Sequence, residues 1–410
     1  MLIRSLMTIC LLAFLALSTQ QLQAENWHQW RGPQANGHSQ AKDIPVKWDG
    51  EGVLWKVAIP GVGQSSPVMW GSRLFVTSAS TDGGQRHVYC LDRSNGKVLW
   101  SHQAWKGEAE PTHGMNNRAS ATCATDGKHL IAFFGRGGIH CYDLDGQLIW
   151  SRQLSPFAGP WGTAASPIIV GNTVIQNCDA DESAFIVGLD KNSGEELWKT
   201  ERRAIRGWSS PVSVKVGDRQ EVILNGHGLV TSYNPGTGDI FWSSKTSSGR
   251  GTPTVTPHKG HLITLCGLSG DMMAVRPGGS GDVTDSHVIW RTPRTGGRDL
   301  PSPIVVDDCL LIARLRPGLV SCYDVTTGSE HWTERLEGGF SATPIVAGGL
   351  VYAVNEAGRT FVIRPGKKLE VVASNSLQAS EEEVFRASPV PFDGHLLLRS
   401  DKHLYCVGTR

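Results

Sequence analysis

Charge is scarce in this sequence. Of 410 residues only 19% are Asp, Glu, Lys or Arg, and the 39 basic side chains almost cancel the 38 acidic ones, leaving a formal charge of +1. No block of one sign runs along the chain, so the electrostatic footprint of a nucleic-acid binder is missing. Long apolar runs are missing too: after residue 24 no stretch approaches the about 18 residues that a membrane helix requires. No segment repeats its apolar residues at helical spacing. There is no P-loop and no Gly-x-Ser-x-Gly elbow for a nucleophilic serine. Gly135-Arg-Gly-Gly138 reads as a hairpin turn rather than a phosphate loop, because no helix follows it.

What is present in excess is Gly, 48 residues against a usual share of about 7%, together with 14 Trp. A 40% apolar fraction at this length supports a large core and excludes disorder. The first 24 residues read as a signal peptide: Arg4 supplies the basic start, Leu6 to Leu17 a short apolar stretch, and Leu22-Gln23-Ala24 a small residue for cleavage. Cys10 lies early in that apolar run and does not read as a lipoprotein acceptor. The expected mature protein is exported, periplasmic or extracellular, with no membrane span.

Tryptophan organises the remainder. Trp55, Trp100, Trp150, Trp198, Trp242, Trp290 and Trp332 recur at intervals of 42 to 50 residues, a period expected of propellers or solenoids. Each unit opens on a Ser-Pro-like start: Ser66, Ser166, Ser210, Thr252, Ser302, Thr343 and Ser388 each precede a Pro, and Ser120-Ala121 is a degenerate copy. A β-rich strand follows, then a strand ending in motifs such as Tyr89-Cys-Leu-Asp92 or Cys322-Tyr-Asp324. A turn of the Asp92-Arg-Ser-Asn-Gly96 kind leads into an outer strand, with Gly four residues before Trp in five copies. Eight starts are present, the last unit has no outer strand of its own, and Val53-Leu-Trp-Lys-Val57 supplies a spare one. The expected fold is all-β: a closed eight-bladed propeller of four-stranded antiparallel blades, spanning residues 49–410, with the N-terminal strand closing the last blade. Residues 25–48, containing Trp27-His-Gln-Trp30-Arg-Gly-Pro33, read as a segment docked on the propeller, over the seam or as a partner-binding peptide.

These motifs, from about residue 53 to 408, resemble the pyrroloquinoline quinone (PQQ) repeat of β-propellers. The chain is more similar to the single-domain exported propellers, including that of the outer-membrane β-barrel assembly machinery, than to the quinoprotein dehydrogenases. It lacks the lipobox cysteine of the former, and the vicinal Cys-Cys pair and long inter-blade insertions of the latter. The resemblance implies a non-enzymatic exported scaffold that binds an envelope or secreted protein through its inter-blade loops. The alternative is a PQQ-dependent dehydrogenase with cofactor and Ca²⁺ in the channel mouth.

Candidate residues follow from the repeat. Counting three residues back from each Pro position gives Gln64, Arg118, Trp208, Arg250 and Arg386 among smaller residues, and in a propeller this position rims the channel. Hairpins on the same face add Arg136 and Arg314. Converging guanidinium groups suit carboxylates or phosphates, and Trp208 suits a planar ring; the same arginines also suit a solvated rim. An anionic glycan or other small anion is a third reading. Asp179 and Asp181 begin like a Ca²⁺ loop but lack its Gly and distal Glu. The cysteines read as compact fillers, with Cys309 and Cys322 flanking one hairpin where a disulfide is conceivable.

Overall fold

The computed structural model describes residues 26–408 apart from 156, 158, 248, 269 and 295–297. The expected signal peptide lies outside them. Eight antiparallel sheets follow one another along the chain: blade 1 spans residues 68–106, blade 2 124–152, blade 3 168–202, blade 4 212–245, blade 5 256–292, blade 6 304–335, blade 7 345–375 and blade 8 390–408. Val53–Ala58 pairs with His403–Gly408 and completes blade 8, as the spare outer strand required. Blade 4 has an addition that the repeat did not announce: Gly281–Asp282 pairs in parallel with its outer strand. A four-residue helix, Thr284–His287, and two 3₁₀ turns are the only helical pieces among the described residues.

The Trp–Gly spacing now has a physical reason. Each repeat tryptophan stands directly across from a compact residue of the third strand: Cys90 faces Trp100, Cys141 faces Trp150, Gly188 faces Trp198 and Cys406 faces Trp55. The indole folds over that residue, and a Cβ on Gly188 would overlap Trp198. The other side of the indole packs on the turn glycine of the next blade, Trp55 on Gly96, Trp100 on Gly146 and Trp150 on Gly194. Those glycines have φ of +72°, +93° and +72°, a backbone region that disfavours side chains. Indole N–H groups of Trp100, Trp150 and Trp198 then donate to turn carbonyls of Leu144, Lys191 and Pro235 in the following blade. One motif therefore joins two blades by packing and by a hydrogen bond.

A second set of bonds links the innermost strands. In seven of the eight blades the hydroxyl of a Ser or Thr near the strand start accepts from the equivalent backbone N–H of the preceding blade. Ser66 donates to Thr122, Thr122 to Ser166, Ser166 to Ser210, Ser210 to Thr254, Thr254 to Ser302, Ser302 to Thr343, and Ser388 back to Ser66, all at 2.9–3.0 Å. This collar corrects the sequence alignment in two blades. Thr254 and Thr122 occupy the collar, not Thr252 and Ser120. A strand repeats its facing every second residue, so a two-residue offset leaves the inward pattern unchanged and invisible in sequence.

Residues 26–49 cross the opposite face. Met69 in blade 1 and Thr125 in blade 2 donate backbone N–H to the carbonyls of Trp27 and His28. Three residues later the fully buried Arg31 donates to the Pro303 carbonyl at 2.8 Å and the Thr256 hydroxyl at 3.0 Å, in blades 6 and 5. The segment then pairs His38 with Val346, and Trp48 donates to Asn375 on its way into the closing strand. It lies across the floor of the channel, and its Trp27 and Ile44 also pack into the core that blades 7, 8 and 1 share at the closure seam.

All eight cysteines of the described residues are buried and free. Cys309 and Cys322 are diagonal neighbours, opposite Asp324 and Leu311 respectively, and are not joined. Burial pushes every one of these thiols up, those of Cys90, Cys141 and Cys406 to about 12. Since the thiolate is the reactive form, native protein is expected to resist a thiol-specific disulfide reagent that titrates all eight after unfolding. Rapid labelling of folded protein would contradict this packing.

Candidate functional site

The channel opens on the face formed by the connections between blades. Two residues before each collar position stand Gln64, Ser120, Ala164, Trp208, Thr252, Leu300, Ser341 and Arg386, and all eight line one cavity of about 370 Å³. Six of the eight are those of the sequence reading without change of register. In blades 2 and 5 the two-residue offset places Arg118 and Arg250 one step farther from the collar. Arg250 still reaches the cavity wall, with its guanidinium 5.9 Å from the Trp161 ring centre. Arg118 does not line it: its guanidinium donates to the Glu110 carbonyl at 2.8 and 3.2 Å.

The other arginines divide by partner. Arg386 lines the cavity but is paired with Glu356 at 2.7 Å, and also donates to the Gly114 carbonyl at 3.3 Å. Arg314 lies outside the wall, beside the buried Asp299 that it shares with Arg294 at 3.3 and 3.2 Å. Arg136 sits in the turn Gly135–Gly137, also outside the wall, where its carbonyl accepts from Gln153. Arg298, at the cavity mouth, and Arg250 pair with no carboxylate among the described residues; the Arg298 guanidinium reaches the sulfur of Met115 at 3.5 Å.

Several wall residues escaped the sequence reading. The connection 107–123 folds over the mouth as a cover, bringing His113, Met115 and Asn116 into the cavity. Its base is fixed where the buried Arg86 meets Glu110 at 2.6 Å. Its far side touches Trp161, whose ring stacks on His113 at 5.6 Å and receives the Arg206 guanidinium at 4.4 Å. Trp208 is held edge-on by donating its indole N–H to Gly162 at 2.9 Å. Trp30 closes the floor. The length of the 107–123 connection was the available signal, since the corresponding 59–67 is far shorter.

A Ca²⁺-assisted quinone would need free carboxylate and amide oxygens at the cavity. Asp179 is engaged by Arg202 at 2.7 Å, and Asp181 by Arg206 at 2.7 and 2.9 Å. The Asn177 amide is spent on the Ser209 carbonyl and the Asp179 N–H. No carboxylate lines the cavity, and no three His, Cys, Asp or Glu side chains gather to hold a metal among the described residues. This donor set does not fit that cofactor chemistry.

Comparison with known proteins places the chain. The family model described as outer membrane protein assembly factor BamB matches residues 43–177, 182–264 and 282–369. BamB of Burkholderia pseudomallei (strain K96243) is 23% identical over 345 residues, 76% of this chain and 79% of that protein. The crystal structure of BamB from Moraxella catarrhalis aligns with a TM-score of 0.64 at 15% identity, over 87% of this chain and 97% of that one. A europium-containing methanol dehydrogenase aligns with a TM-score of 0.72 at 12% identity, over 94% and 98% of the two chains, a likeness of fold alone. With eight PQQ-like blades and a family match across most of its length, the chain belongs to the family of outer membrane protein assembly factor BamB.

Proposed function

We propose that this protein is an exported, non-enzymatic propeller that docks an envelope protein through its inter-blade loop face during outer-membrane protein assembly. The observation that supports this reading is the division of labour between the two faces. One face is sealed by residues 26–49 of the chain itself. On the other, connections of unequal length, 107–123, 153–167, 203–211 and 376–389, stand around the channel mouth. That is the surface variation a protein partner reads, while the wall offers no carboxylate, and no metal-ligand set gathers among the described residues.

The test is photo-crosslinking in cells. A photoreactive residue at Glu108 or Arg203, both exposed on the loop face, is expected to yield a discrete adduct with an outer-membrane assembly protein. The same probe at Lys259, in a hairpin turn of the opposite face, is expected to yield little or none. Adducts confined to Lys259, or dye-linked alcohol oxidation by purified protein given PQQ and Ca²⁺, would overturn the reading.

A further inference from the structure

We propose that the channel cavity is a binding site for a monosaccharide-sized acidic sugar, a hexuronate, whose hydroxyls meet the collar and whose carboxylate meets Arg250 and Arg298. The collar supplies the first observation. Ser66, Thr122, Ser166 and Ser210 are each more than nine-tenths buried and line the cavity. Each hydroxyl oxygen accepts a backbone N–H from a neighbouring blade, and none of the four O–H groups donates to any group among the described residues. The protein's own bonds therefore orient these hydroxyls with their oxygens toward the sheet and their protons available to the channel. A buried donor without an acceptor is unfavourable, so a ring of them favours an occupant rich in acceptor oxygens.

The second observation is the pattern of charge and ring faces. Arg250 and Arg298 lack carboxylate partners, and the wall holds no acid, which disfavours a cationic ligand and favours one anionic group. Gln64 accepts from Ser120 at 3.2 Å and keeps its amide protons, a donor matched to sugar oxygens. Trp30 below and Trp208 on the side offer apolar ring surface to the C–H face of a pyranose. A phosphate would meet neither a lysine in the wall nor a helix N-terminus, because the mouth is built of loops and strand starts. The volume, about 370 Å³, lies at the small end of the roughly 300–1,000 Å³ typical of small-molecule sites and admits one ring rather than a chain.

Titration calorimetry with sodium D-glucuronate, sodium D-galacturonate and D-glucose tests this on the full mature chain, with tryptophan fluorescence as a second readout. A uronate is expected to bind at least about tenfold more tightly than glucose, the margin of one good charge-assisted contact. The double variant Arg250→Gln, Arg298→Gln is expected to erase that margin while leaving the melting temperature and the weak glucose signal unchanged. The inference fails if no sugar binds at millimolar concentration, if glucose and uronate bind alike, or if the double variant still prefers uronate. It also fails if a tetragalacturonate or an aromatic polycarboxylate binds where the monosaccharides do not. None of these outcomes bears on the loop-face adducts, so the docking reading stands or falls separately.

Discussion

Deleting Val53–Ala58 is expected to leave a chain that no longer unfolds as one unit. The deletion strips His403–Gly408 of its outer partner and exposes a strand edge, because closure of blade 8 depends on that single antiparallel pairing. It also removes Trp55, which covers Cys406 and packs on Gly96 of blade 1, so the link between the last blade and the first is lost. Loss of one such tryptophan costs about 3–5 kcal/mol, a large part of the roughly 5–15 kcal/mol that holds a folded domain together. Differential scanning calorimetry is the measurement. The expected result is a transition lowered by more than about 10 °C, or one broadened into separate steps. A deletion variant with the wild-type melt would refute closure as the source of cooperativity.

The second large effect concerns Glu383, midway along the connection 376–389 that leads into blade 8. Its carboxylate is almost fully buried, and burial by itself pushes a carboxyl up. Hydrogen bonds from Ser400 at 2.6 Å and Tyr405 at 2.7 Å, the Ser380 N–H and the nearby His403 outweigh that and hold it at about 2. Lys56 of the closing strand also reaches it at 3.4 Å, over the face of the Tyr405 ring. A carboxylate with a depressed folded pKa stabilises the fold above its unfolded value, near 4.5, and loses that contribution as pH falls from about 4.5 to about 2. The depression corresponds to about 3 kcal/mol at neutral pH. Glu383→Gln is therefore expected to lose about 2–3 kcal/mol at pH 7 and to show a flatter stability profile below pH 4.5 than the native chain. Urea unfolding at pH 7, 4 and 3 measures both, and an unchanged acid slope in the variant would remove Glu383 from the account.

The architecture was legible because the features that build it are local in sequence. Gly96 and Trp100 are four residues apart, and that spacing recurs in five copies, so turn, outer strand and blade number could all be counted. The spare strand at Val53–Val57 was visible for the same reason. The site was less legible because it depends on alignment between blades, where a two-residue slip preserves facing. Thr252-Pro253 imitates the Ser-Pro of other blades, yet Thr254 makes the collar bond, and Arg250 is displaced by that difference. Arg118 shows a different limit: its partner, the Glu110 carbonyl, belongs to a connection whose path no periodicity encodes. Trp161 and Trp30 were similarly hidden, since neither lies on a repeat position and both reach the channel through irregular backbone.

The crossing at Trp27–Arg31 also bears on kinetics. In five residues the chain ties blades 1 and 2 to blades 5 and 6, and Trp30 stops the channel at that end. The channel is therefore a vessel with one door. Anything that occupies it arrives and leaves by the loop-face mouth, beside the 107–123 cover, which is tethered through Gly114 to Arg386 and through Met115 to Arg298. Residence time in such a vessel is set by how often the cover lifts. Association and release would slow together when the tethers tighten, leaving affinity unchanged while exchange becomes rare.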